Sequence, residues 1–555
     1  MAIGQVLGIS DNSVNVTVKR IGGGFGAKID QCNIISTAAA LAATTIRKPV
    51  KIVVDLDTNM TIYGGRDPFY STYKVGVDDQ GLLQAVQATI TSDSGYTGTD
   101  PNCPLAPDCV PSCYACPNFL VTPQFVLTNT SCNTYCRTPG TFEGVTLMEE
   151  ILDHVAATLN IDPIDIRKRN LMLNGSTMRV NHCLLRARAR LAGKEALAAL
   201  KAPLTLTVPK NFISDMIDQL MTSADVDARK QAVAEFNQAN RWKKRGIALM
   251  SMSWPHSVDL RYPFSVLVSI NARDGSVAVS HGGTEMGQGI NTKVAQVAAY
   301  QLKADMDVVT IRPTNTHVNA NSSCTCGSKG SDVASYSVSE ACKIIQARLD
   351  EVEASVGKKL PWKELILTAW NMGVNLSEKY ENGPGEVKSY AVFGVACSEV
   401  ELDVLTGQYL VTRTDLIEDA GRSLSPLVDV GQVEGGFIMG QGLLTTEKPI
   451  YDPTTGKKLS AGTWNYYIPT SHDIPADFRV TLLSNAPNPI GVLSSKVTAE
   501  PPVTLSFSIV MALRQAIASA RKDAGTPGWF NMNSPLTVEV LQRLCLVDPS
   551  SLVIH

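Results

Sequence analysis

Glycine clusters punctuate this chain at four separated places, each beside a segment of helical character: RIGGGFGAKID at 20–30, HGGTEMGQGINTK at 281–293, TCGSKGSD at 325–332 and GQVEGGFIMGQG at 431–442. A glycine-rich turn that runs into a helix can offer backbone N–H groups and the positive end of a helix dipole to an anion. The first cluster alone admits a dinucleotide fold. A strand over NVTVKRI (15–21), a buried helix over 34–46 and a second strand over VKIVVDL (50–56) would surround Gly22, Gly24 and Ala27 in the G-x-G-x-x-A pattern. Its spacing resists, because Asp55 lies farther than the roughly 20 residues expected for a ribose-binding acid. A plain structural turn fits that cluster as well. Four loops are too many for one dinucleotide unit, and together they suggest a long, polar, phosphate-bearing cofactor held on several sides.

Bulk properties narrow the class. A chain of 555 residues is long enough for two or more domains. Its formal net charge of −3 gives no basic field for nucleic acid or acidic lipid. No uninterrupted apolar run reaches the 18 or so residues of a membrane span, and MAIGQVLGISDN does not read as a leader. A cytoplasmic protein with no nucleic-acid or membrane partner is the expectation.

Thirteen cysteines include a cluster from Cys103 to Cys136. Cys113 with Cys116 and Cys132 with Cys136 could supply zinc ligands. The second pair has a three-residue spacer, prolines interrupt the segment, and buried reduced thiols explain the set more simply. His154, at helical spacing in ILDHVAATL, reads as a packing residue.

Along the chain, helices are expected over 143–159, 164–173, 215–242 and 337–352, with an exposed basic helix over 181–202. Strands over 264–280 should form a hairpin turning at Asp274-Gly275. A Glu before two prolines, as at Glu500, reads in isolation as a loop or capping residue.

Taken together and in order, GGGFGAK, CRTPGTFEG, HGGTEMGQG, YAVFGVACSEVELDVLTG, DVGQVEGGFIMGQG and VTAEPP resemble the molybdenum-cofactor domain of the xanthine dehydrogenase and aldehyde oxidase family, most closely the aldehyde oxidases of insects. The resemblance runs from about Gly4 to Ala520 and displaces the dinucleotide interpretation. It implies an α+β fold, the two-part molybdenum-cofactor-binding domain of the xanthine oxidase family. Residues 1–240 would form the first part, with an atypical insertion near 181–202, residues 241–525 the second, and residues 526–555 a tail.

The resemblance also implies a chemistry, the oxidation of aldehydes to carboxylic acids with water as oxygen source. Molybdenum would be held through a pterin, near Phe25, Arg137 and Gly327, with no protein thiolate as ligand. Glu500 matches the catalytic carboxylate and Gln432 a glutamine that orients the metal group. Gly24, Phe25 and Gly26 match a cofactor loop, Arg137 an arginine beside the metal centre, and Thr284, Gly287 and Gln288 a pterin loop. Gly327, Ser328 and Ser331 match another. Purine-oxidising relatives carry a glutamate where Ile29 stands and an arginine near the position of Leu105, and no Lys or Arg occurs between Lys74 and Arg137. An aldehyde pocket is therefore expected, with xanthine dehydrogenase activity as the alternative. Full-length animal relatives carry 2Fe-2S clusters and FAD ahead of this domain and form homodimers. This sequence starts within the cofactor domain, so a piece of a longer protein or a non-catalytic copy is expected. A nicotinamide-dependent dehydrogenase built on the Gly22 turn is the remaining alternative.

Overall fold

The computed structural model describes residues 1–98, 100, 102–179, 205–258 and 262–548. Strands Lys243–His256 and Tyr390–Asp403 pair antiparallel along their whole lengths, and Tyr409–Glu418 and then Asp477–Leu482 extend the sheet. The segment YAVFGVACSEVEL reads as a nearly continuous apolar run because this sheet is covered on both faces. Phe393, Val395 and Cys397, with Ile247 and Leu249, enter one core. Val392, Ala396 and Val400, with Met250 and Met252, enter another. The period-2 alternation of strand side chains thus makes one sheet the wall between two cores.

The first core also contains the sheet of Phe69–Val77, Leu83–Asp93 and Asn118–Val126, and the helices Thr141–Leu159 and Pro163–Asn170. The second is filled by the helix Phe507–Asp523. Pro501–Asp523 together satisfy the length and apolarity of a membrane span, but 83% of that window is buried inside the protein, as suits a core helix. A third core joins the sheet of Val309–Ile311, Val277–His281, Ser265–Ile270 and Ser377–Glu381 to helices Ile290–Leu302 and Gly330–Val356.

Several local expectations are corrected. Only Thr17–Val18 of the first expected strand is extended, pairing with Thr314–Asn315. The segment 50–56 forms no strand, and Asp55 caps the helix Leu56–Ile62 by accepting from Thr58 N at 2.8 Å. The helix Cys32–Ile46 forms, yet none of its residues is buried, and Ile34, Leu41 and Ile46 are about half exposed. The helix expected over 215–242 breaks at Ala224–Asp225 into Ile213–Ser223 and Val226–Ala239. The hairpin turns as expected, with Gly275 at φ 74°.

The largest correction concerns 431–442, which is no loop but part of the helix Pro426–Leu444. Its glycines bring neighbours close. A Cβ on Gly440 would meet Ser506 Oγ at 2.2 Å and the Val503 carbonyl oxygen at 2.5 Å, and one on Gly436 would meet the Arg137 guanidinium at 3.1 Å. The segment 181–202 lies outside the described residues.

Candidate active site

Arg137 is the knot of the site. Its N–H donates to the Phe25 carbonyl at 2.6 Å, its Nε to the Ala499 carbonyl at 2.6 Å and its Nη2 to the Gln432 carbonyl at 2.9 Å. One buried residue therefore joins the first glycine cluster through its backbone, and the Pro426–Leu444 helix and the turn before Glu500 through its side chain. Burial lowers the Arg137 guanidinium from its ordinary range, opposed by the charges of Glu500 and Glu418.

Glu500 is 7% exposed and stands directly before the Pro501–Leu505 helix. Its Oε1 accepts from Thr138 N at 2.9 Å and its Oε2 from Ser328 Oγ at 2.8 Å, while Thr138 Oγ1 donates to the Glu500 carbonyl at 2.9 Å. A carboxylate has about four lone-pair positions, so each oxygen keeps capacity for another donor. Phe25, Thr138 and Ser328 all adopt positive φ, at 50°, 72° and 56°. Such backbone is costly for residues with a side chain and clusters at functional sites.

The other sequence-selected residues assemble around this knot. Gln432 approaches Gly287, its Nε2 lying 3.5 Å from that carbonyl. Gln288 holds its own loop, accepting from Met286 N at 2.7 Å and donating to the Thr284 carbonyl at 2.9 Å. Thr284 N donates to Thr325 Oγ1 at 2.9 Å, tying the second glycine cluster to the third. Gly24 is buried, and a Cβ there would meet Met286 Sδ at 3.1 Å. Gly26, at φ 105°, leaves room for the Tyr135 carbonyl, and Gly327, at φ 61°, precedes Ser328. Ser331 lies in the first turn of the Gly330–Val356 helix. Ile29 N donates to the Gly26 carbonyl at 3.0 Å, and Leu105, 6% exposed, packs where Gly140 has no side chain.

Some participants escaped the sequence. In the loop at 281–293 three N–H groups are taken by a side chain of the loop itself, the Glu285 carboxylate accepting from Gly287 N, Gly289 N and Asn291 N at 2.8, 3.2 and 3.0 Å. Asp429 accepts from Lys293 at 2.6 Å and Thr498 at 2.7 Å, linking the second cluster, the glycine-rich helix and the KVTAEPP segment inside the protein. Arg66 Nη2 donates to the Arg137 carbonyl at 2.6 Å and its Nη1 lies 3.6 Å from Glu143. Glu418 is fully buried with both carboxyl oxygens unpartnered, and burial, then Asp429, pushes its carboxyl well above the usual range. Contact across distant segments reveals the roles of Asp429 and Arg66, whereas Glu285 closes on N–H groups of its own loop. The i, i+4 offset from Gly289 to Lys293 carries no signal of its own.

Among the described residues, no group of three or more His, Cys, Asp or Glu side chains is arranged to hold a metal ion. Cys113 is buried in the first core, and His154 stacks on Trp529 with ring centroids 4.3 Å apart. The site instead offers one carboxylate with open lone pairs, one loosely held amide and close glycine backbone. That donor set fits a metal carried by its own organic ligand.

The comparisons agree. Two family profiles, each described as Molybdopterin cofactor-binding domain, match residues 1–171 and 219–475. Over 98% of the chain, it is 35% identical to the xanthine dehydrogenase/oxidase of Gallus gallus and 34% identical to aldehyde oxidase 3 of Rattus norvegicus. It covers 39% and 40% of those proteins, so the chain spans about two fifths of the length of these curated relatives. The crystal structure of quinoline 2-oxidoreductase from Pseudomonas putida 86 shares the fold, with a TM-score of 0.83 at 20% identity over 99% of this chain and 70% of that one. The fold is therefore the two-part molybdopterin cofactor-binding domain. The chain belongs to the xanthine dehydrogenase and aldehyde oxidase family of molybdenum-cofactor oxidoreductases.

Proposed function

We propose that this chain is the molybdenum-cofactor part of a hydroxylase that oxidises aldehydes to carboxylic acids. The observation that carries the proposal is the placement of Glu500, a buried carboxylate clamped by Thr138 N and Ser328 Oγ at the meeting point of three glycine-bearing segments. When bound, the molybdenum group supplies the two-electron oxidation of the substrate carbon. Glu500 takes up a proton on the open side of Oε1 or Oε2, a role that needs hydrogen-bond reach rather than a long side-chain search. Gln432 presents its amide beside Gly287, and Arg137 holds the Gln432 carbonyl and the Ala499 carbonyl next to Glu500. Phe25, 51% exposed, offers an aromatic wall.

Substrate class rests on Ile29 and Leu105, both apolar. The cations Lys28 and Arg66 are committed elsewhere, Lys28 to the Gly23 carbonyl at 2.8 Å and Arg66 to the Arg137 carbonyl and Glu143. A site that hydrogen-bonds polar ring atoms can discriminate by about 10⁴ or more, whereas apolar pockets tolerate variety. Electrons would leave through iron-sulfur and flavin centres of a longer, homodimeric, cytoplasmic protein. The test is competition between hexanal or benzaldehyde and xanthine on the cofactor-loaded protein assembled with those centres. A larger kcat/KM for the aldehydes is expected, and a larger value for xanthine would transfer the proposal to purine oxidation.

A further inference from the structure

The third glycine cluster carries two thiols that the proposed chemistry does not use. Cys324 is exposed and Cys326 half-buried, and the chain bends at Thr325 between them. Their sulfurs lie 3.4 Å apart, and the Tyr262 hydroxyl, on a side chain 5% exposed, lies 3.1 Å from the Cys326 sulfur. The same hydroxyl donates to the Cys324 carbonyl, so the pair is held against a fixed wall. Lys329 sits over the Tyr262 ring at 5.3 Å, adding a cation beside the sulfurs. The hydrogen bond with Cys324 and burial push the Cys326 thiol well above its ordinary range, and Cys324 is the exposed member of the pair that peroxide can reach.

We infer that Cys324 and Cys326 are a reversible dithiol–disulfide site that senses peroxide. Attack of the Cys324 thiolate on hydrogen peroxide breaks the O–O bond, forms a sulfenic acid and releases hydroxide. The Cys326 thiol then attacks that sulfur, forming the S–S bond and releasing water. In sum, two thiols and one peroxide give one disulfide and two waters. An external dithiol reverses it by exchange. Two consecutive virtual bonds span at most about 7 Å, so the bend at Thr325 is what brings the cysteine Cα atoms within bridging range. Bond formation requires the sulfurs to close by roughly 1.4 Å, to the ~2.05 Å of a disulfide. The movement falls on Thr325, whose Oγ1 accepts from Thr284 N, and on the turn leading to Ser328, whose hydroxyl donates to Glu500. Oxidation would thus loosen the hold on Glu500 without touching it.

The site does not depend on substrate class, and its test needs no turnover. The full chain, reduced and then treated with hydrogen peroxide, is alkylated and digested. The peptide containing Cys324 and Cys326 should lose two hydrogens and both alkylation sites, and dithiothreitol should restore both. In Cys326→Ser, a Cys324 sulfenic acid should become trappable by dimedone. Amide exchange over 325–331 should change on oxidation and revert on reduction. Unchanged alkylation of both cysteines, bridging of either to a different cysteine, or identical exchange in the two states would overturn the inference.

Discussion

Glu500 holds its place through two side-chain hydrogen bonds from different segments, and this separates its position from its chemistry. Glu500→Gln keeps the length and can still accept from Thr138 N, so the variant should retain molybdenum and pterin. Its kcat should fall by about 10²–10⁴, the usual contribution of a positioned base. Metal analysis and steady-state kinetics on one preparation check both halves, and near-normal turnover would remove Glu500 from the reaction. Asp67 makes a pH prediction. It is 3% exposed, and burial raises its carboxyl to about 7, offset in part by Asn102 N. Unfolded, it titrates near 3.9. Between those values the folded state holds the proton and the unfolded state does not, so stability is full below about pH 4 and is lost as pH rises toward 7. The slope from this one group is about 1.4 kcal/mol per pH unit. Asp67→Asn should remove that component, read as a flatter dependence of urea midpoint on pH from 4 to 7. Glu500 and Arg137 could be selected from sequence because short motifs surround them. Asp429 could not, because Lys293 and Thr498 reach it from distant segments, and Glu418 could not, because only the folded core buries it.

The Pro426–Leu444 helix shows how a glycine-rich sequence can mislead about the element it forms. Glycine lowers helix propensity by about 1 kcal/mol relative to alanine, which favours reading GQVEGGFIMGQG as a loop. Packing reverses that preference, because the bare faces of Gly436 and Gly440 admit Arg137, Pro502, Val503 and Ser506. The helix then carries Gln432 toward Gly287. Two alanine substitutions separate the effects. Gly440→Ala would force a Cβ against backbone and should cost about 1–3 kcal/mol. Gly435→Ala is exposed and meets nothing within 4 Å, so it should stabilise by about 0.5–1 kcal/mol. Thermal midpoints moving in opposite directions are the expected result. Other elements were legible where pattern and packing agree, as in the Thr141–Leu159 helix and the hairpin at Gly275. The Cys32–Ile46 helix was legible as a helix, but its exposure was not, since composition marks what a residue prefers rather than what covers it.

At the scale of the molecule, the Lys243–His256 and Tyr390–Asp403 ladder couples two cores, since alternate side chains of each strand enter opposite sides. Phe393 is 1% exposed, and Phe393→Ala should cost about 3–5 kcal/mol. Both cores should then unfold together, giving coincident urea transitions by tryptophan fluorescence and far-ultraviolet circular dichroism. Separate transitions would show that the wall does not couple them. Arg137 spans the same halves from the site, reaching from the CRTPG segment to Ala499 and Gln432, so cofactor retention and global stability should fall together in Phe393→Ala. The uncovered Cys32–Ile46 helix bears on such experiments. Its half-exposed Ile34, Leu41 and Ile46 form apolar surface on the folded chain, the kind of surface that binds anilinonaphthalene sulfonate. Dye brightening, ordinarily taken as a sign of loosened packing, will therefore be present in the native protein before any denaturant is added.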